Sequence, residues 1–280
     1  MKKFILTLSL LFVTAFALAQ SHQAIRVEKT GTTGDPVLFL PGFTSPGSVW
    51  KETIRNLEVE KQSYLISYAG FNGILPIDTP WYASIRKELL QYIEKENLTN
   101  LSIVGHSMGG NLAVDIAAAV PGRVKKLILV DAIPCMRELM MPGVAASQIQ
   151  HNSPYNQQML RMSDEDLRKT AIMMANNMTN RQDRIDTLVQ WSMEADRKTF
   201  VLGYTDLLKL DLREALKQVK AQTLILGATF PDAGLVLENF EKQYANLPLK
   251  TIALATDSKH FIMFDQPEWF FEKVNTFLAK

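Results

Sequence analysis

Cys135 is the only cysteine in 280 residues, so no intrachain disulfide can form and a cysteine-rich structural zinc site is excluded. Histidine is nearly as scarce. There are four, so the candidates for a catalytic base are His22, His106, His151 and His260. An excess of charge of one sign is also missing. Lys and Arg number 30 against 29 Asp and Glu, and nothing resembles the basic stripe that nucleic acid binding requires. There is no HExxH and no clustered His/Asp set, so neither a metal nor another cofactor is expected. No apolar run reaches the roughly 20 residues of a membrane span. The nearest approach is at the start, where Lys2-Lys3 precedes an almost wholly apolar Phe4–Leu18 and a small-x-small site, Ala17-Leu18-Ala19. That pattern predicts a signal peptide over 1–19, export to the periplasm or the exterior, and no membrane span after its removal. No cysteine follows it to carry lipid. Losing Lys2 and Lys3 would move the net charge from +1 to −1.

Against these absences stands a regular alternation. Val37–Leu40, Tyr64–Tyr68, Leu101–Val104, Leu127–Val130, Thr223–Leu226 and Lys250–Leu254 are near-continuous in apolar residues. Strands buried on both faces carry that pattern. Helical segments at about 79–97, 107–119, 234–245 and 266–279 lie between them, and a weaker strand at Ala24–Lys29 would pair at an edge. The expectation over 20–280 is an α/β domain: a mostly parallel central sheet flanked by helices.

The alternation stops between Asp131 and Thr223, where only helical pattern is present. Leu167, Ala171, Met174 and Met178 fall on one helical face, and Thr179-x-x-Gln182 has the spacing of a capping box. A helical cap over about 134–209 is expected. Nine of the 12 methionines fall between 136 and 193. Most should simply pack between cap helices, while a few would line an adaptable apolar pocket.

One motif carries chemistry. In "IVGHSMGG" a strand runs through Gly105 and Ser107 directly into an alanine-rich helix. A serine at such an elbow sits in a strained backbone conformation, so its neighbours at −2 and +2 must be small; Gly105 and Gly109 occupy them. The following helix N-terminus would favour developing negative charge. A serine hydroxyl needs a base. His22 lies just past the cleavage site, and His106 adjoins the serine, where neighbouring side chains at a strand end point apart. His151 falls in a polar Gln-Ile-Gln-His-Asn stretch that reads as surface. His260 follows the last strand in "TDSKHFIMFDQPEWF" and is the expected base.

With these pieces in place the chain resembles an α/β-hydrolase-fold serine hydrolase of the esterase and lipase kind, from about Pro36 to Lys280. "LFLPGF" resembles the family's oxyanion loop, with Pro41 where many members have histidine. "GHSMGG" matches its nucleophile elbow, and "KHFIMFDQPEWFFEKVNTFL" resembles its histidine loop and last helix. The resemblance implies an oxyanion hole from the backbone N–H groups of Phe43 and Met108. It also implies an acid a few residues after "TLILGA". The first carboxylate there is Asp232, in "GATFPDAG", two residues beyond the usual spacing; Asp131, ending "LILVD", is the alternative. Asp257 is only three residues from His260 and too local.

The resulting expectation is a cofactor-free carboxylic ester hydrolase with Ser107, His260 and Asp232 as its triad. Amide, lactone or thioester cleavage and haloperoxidase-like activity would use the same residues, and a non-catalytic binding protein is the alternative of another class. Phe43, Phe71, Trp81 and the cap methionines point to a small-molecule substrate with an apolar acyl or alcohol group.

Overall fold

Most of the apolar runs become strands because helices bury both of their faces; the last, Lys250–Leu254, lies at the sheet edge and is only partly covered. In the computed structural model, which describes residues 23–279, the strands are β1 (Ile25–Thr30), β2 (Pro36–Leu40), β3 (Gln62–Tyr68), β4 (Leu101–His106), β5 (Val124–Val130), β6 (Gln222–Ala228) and β7 (Lys250–Ala255). They form one sheet in the order β1-β3-β2-β4-β5-β6-β7. Every pairing is parallel except β1 with β3, where Ile25 faces Tyr68 in antiparallel register. The expected signal peptide over 1–19 and His22 lie outside the described residues.

Side chains alternate across the sheet and feed two cores. Leu38, Leu40, Ile103, Leu127 and Leu129 point to one face, and Val37, Phe39, Val104, Ile128 and Val130 to the other; all are fully buried. The first face is covered by α2 (Trp81–Lys95), α3 (Met108–Ala119) and α9 (Ala233–Gln243). In α2 the stripe Trp81, Ile85, Leu89, Ile93, spaced four apart, is wholly buried. The second face is covered by α1 (Lys51–Arg55), the short α10 (Ile262–Asp265) and α11 (Pro267–Ala279), with Trp50 stacked on Phe270.

Between β5 and β6 the chain is helical throughout: α4 (Met136–Met140), α5 (Pro154–Arg161), α6 (Asp164–Met178), α7 (Gln182–Met193) and α8 (Arg197–Lys209). Ser153 and Ser163 cap α5 and α6 through Asn156 N–H and Asp166 N–H, and Pro154 takes the first turn, where its missing donor costs nothing. The capping box expected at Thr179 is not formed. Thr179 ends α6, and its hydroxyl lies 2.5 Å from Asp265 in α10, which ties the cap to the sheet domain. Helix α7 starts instead after Arg181. Among the described residues, no helix is long and apolar enough to cross a membrane.

Candidate active site

The loops leaving the C-terminal ends of β2, β4, β5 and β7 converge, and the strand order reverses between β2 and β4, where open parallel sheets form their crevices. Ser107 joins β4 to α3 at φ 54, ψ −122, a region that non-glycine residues avoid. The turn is held by its backbone: Ser107 N–H donates to Val130 O at 2.9 Å, and Ser107 O accepts from Gly110 N at 2.8 Å. The expected glycines have no room for more. A Cβ on Gly105 would stand 2.3 Å from Gly109 O, and one on Gly109 would stand 2.1 Å from Leu40 O. Ser107 precedes α3, yet its hydroxyl makes no capping bond, so it has none of the structural work a serine usually does at that position.

His260 lies on the loop between β7 and α10. Its Nδ1 is 2.6 Å from Oδ2 of Asp131, so the residue that faces the histidine is Asp131 and not Asp232. Asp131 leaves β5 at φ 44, its N–H donating to Leu226 O at 2.7 Å and its Oδ1 accepting from Ala228 N at 3.0 Å. These bonds turn the carboxylate towards His260. Burial alone would raise the Asp131 carboxyl, but the His260 hydrogen bond and charge and the Ala228 N–H outweigh it and hold it below its ordinary value. An ionised carboxylate only accepts, so a neutral His260 ring carries its proton on Nδ1 and keeps the lone pair on Nε2. Asp232 has other work: exposed, it caps α9, its Oδ1 accepting from Leu235 N at 2.9 Å.

His106, set aside from the sequence, has a second role here. Its ring is fully buried, and its Nε2–H donates to the backbone carbonyl of His260 at 2.9 Å. The two rings lie 4.5 Å apart. Burial, and then the neighbouring His260, push the His106 pKa down to about 3, so it remains a neutral donor. This has a consequence for acid stability. Unfolded, His106 takes up a proton near pH 6.5; folded, it refuses one until about pH 3. Its contribution to stability is therefore complete above 6.5 and is lost as pH falls towards 3, by up to about 1.4 kcal/mol per pH unit. Urea midpoints measured from pH 7 to pH 4 should fall more steeply for the wild type than for His106→Gln, which keeps a donor but does not titrate. Equal slopes would refute it. His151 is not a free surface group either: its Nε2 sits 2.7 Å from Asp206, whose other oxygen accepts from Tyr82 N at the start of α2.

Phe43 follows β2, where Tyr68 Oη donates to Pro41 O at 3.2 Å and Ser45 N–H donates to Gly42 O at 3.1 Å. Neither the Phe43 nor the Met108 backbone N–H has a hydrogen-bond partner among the described residues. The Phe43 ring packs against Phe71, Trp81, Phe200 and Tyr204, with centroids 4.9 to 5.8 Å apart. Beside it α6 and α7 enclose a cavity of about 50 Å³, to which Met174 and Met178 contribute. Met140 and Met173, by contrast, are exposed. No group of three or more His, Cys, Asp or Glu placed to hold a metal occurs among the described residues.

The sequence profile of the alpha/beta hydrolase family matches residues 37–273. Among curated proteins, the pimeloyl-acyl-carrier-protein methyl ester esterase of Aeromonas salmonicida is 25% identical over 270 residues, spanning 91% of this chain and 100% of that one. The 2-hydroxy-6-oxononadienedioate/2-hydroxy-6-oxononatrienedioate hydrolase of Escherichia coli is 24% identical over 295 residues, spanning 94% and 97%. Among solved structures, an esterase from Exiguobacterium antarcticum superposes with a TM-score of 0.76 at 20% identity, over 91% of this chain and 96% of its own; that likeness is one of fold.

Proposed function

This chain belongs to the alpha/beta hydrolase family, and within it we propose a serine hydrolase that cleaves small carboxylic esters through an acyl-enzyme. The single observation that carries the reading is the His260–Asp131 couple at the same sheet edge as Ser107, whose strained turn and uncapped hydroxyl serve no structural purpose. Ser107 Oγ attacks the acyl carbon while His260 Nε2 takes its proton. Asp131 holds the ring in the tautomer that leaves Nε2 free, and stabilises the imidazolium that forms. The unpaired N–H groups of Phe43 and Met108, reinforced by the α3 N-terminus, donate to the developing oxyanion; in a comparable site one such donor is worth about 3–4 kcal/mol of barrier. His260 then protonates the leaving alcohol, and a water activated by the same nitrogen releases the acyl group.

The ester assignment leans on the curated relative from Aeromonas salmonicida, which carries an esterase name. The largely apolar walls beside Phe43 favour an acyl chain that is mostly hydrocarbon, and the Met1–Ala19 pattern favours action outside the cytoplasm. The test is a fluorophosphonate probe on the full chain, followed by a panel of p-nitrophenyl esters, lactones and peptide amides. The probe should label Ser107, and esters should turn over fastest. A chain that the probe does not label would end the serine reading, and faster lactone or amide turnover would replace the ester assignment.

A further inference from the structure

The cavity enclosed by α6 and α7 has one feature that an apolar packing defect lacks. Ser45, 1% exposed, lines it, and its Oγ has no hydrogen-bond partner among the described residues. A buried hydroxyl without a partner keeps its desolvation penalty until something supplies one. The rest of the lining does not: Met174, Leu188, Phe200 and Phe261 are apolar, and neither Thr44 nor Ser192, whose hydroxyl donates to Leu188 O at 3.1 Å, is bonded to it. The cavity also lies against the site, because it is lined by Phe43, a proposed oxyanion donor, and by Phe261, the neighbour of His260 in the chain. Trp191 lines both this cavity and a wider groove of about 380 Å³ that Arg26 and Glu194 also line, so its indole stands between the two. About 50 Å³ accommodates on the order of three or four water-sized atoms.

We propose that this cavity is the acyl pocket, that Trp191 limits it to short chains, and that the Ser45 hydroxyl recognises an oxygen carried by the chain itself, as in a short hydroxy- or oxo-acyl ester. The proposal rests on the serine hydrolase reading, since it assumes that the acyl group is delivered from Ser107. A plain alkyl chain would leave Ser45 unpartnered; a hydroxyl or keto oxygen three or four atoms along would pair with it. Specificity of this kind arises because a site built around a buried polar group rejects the analogue that lacks the matching one.

The experiment compares kcat/KM for ethyl 3-hydroxybutanoate against ethyl butanoate, and for ethyl 4-oxopentanoate against ethyl pentanoate, in wild type, Ser45→Ala and Trp191→Ala. Wild type should prefer the oxygenated member of each pair, and in Ser45→Ala that ratio should fall by about tenfold, the loss of one hydrogen bond. In Trp191→Ala the cavity should join the groove, and the decanoate to butanoate ratio should rise by about tenfold or more, since each buried methylene is worth about 0.8 kcal/mol. Equal ratios in wild type and Ser45→Ala overturn recognition by Ser45, and an unchanged chain-length ratio in Trp191→Ala overturns the end wall. Both results are read in protein that the fluorophosphonate labels at Ser107. Absence of labelling would instead end the serine reading.

Discussion

Replacing Ser107 by alanine is expected to lower kcat on any ester substrate by about 10⁴-fold or more and to abolish fluorophosphonate labelling, while the protein stays folded. The loss is large because Ser107 is the proposed nucleophile, and a triad without it retains only what binding and the oxyanion donors supply. The fold should survive for reasons visible in the turn. The hydroxyl makes no cap bond to α3, and the hydrogen bonds that shape the elbow, from Ser107 N to Val130 O and from Gly110 N to Ser107 O, are backbone bonds that alanine keeps. The positive φ is no worse for alanine than for serine. Steady-state ester hydrolysis, labelling and circular dichroism together check it. Turnover within tenfold of wild type would remove the serine mechanism.

The second large effect separates the two aspartates. Asp131→Asn should cut kcat by about 10⁴, because an amide facing Nδ1 no longer holds the proton there and offers no charge to the imidazolium. Asp232→Asn should change kcat by less than about twofold, since Asp232 caps a helix and asparagine caps nearly as well. Its unfolding midpoint should also barely move. The Asp131 carboxyl, held below its ordinary value, stays ionised across the working range, so the wild-type rate should not respond to that group above the ordinary carboxylate range. Measuring kcat for both variants decides the matter. A large loss in Asp232→Asn with Asp131→Asn near wild type would show that the 2.6 Å contact is a bystander.

The choice between these aspartates marks where reading from the chain alone stops. Both end an apolar run by a loop, and the resemblance, which puts the acid after the "TLILGA" strand, favoured Asp232 even though it stands two residues beyond the usual spacing. One local sign pointed the other way. Asp232 stands three residues before Leu235 at the head of a helical segment, the position of an N-cap.

What the sequence by itself determined is whatever depends on local pattern. Six apolar runs became six parallel strands within a few residues of their expected ends, because burial on both faces keeps the middle of most of these strands apolar and confines polar residues chiefly to their ends. The elbow and its glycines were legible because crowding within a few residues dictates them. His260 could be singled out because only four histidines were available. The tertiary structure decided the pairings between distant segments. Thr179 was drawn from its expected capping role by Asp265, 86 positions away. His106 found the His260 carbonyl, 154 positions away. Asp131 reaches His260 across 129 positions, because β6 alone separates β5 from β7 and the Asp131 backbone turns at a positive φ. Hydrogen bonds of that kind depend on direction and on distances good to a few tenths of an ångström, which follow from strand order and packing and leave no period or spacing in the chain.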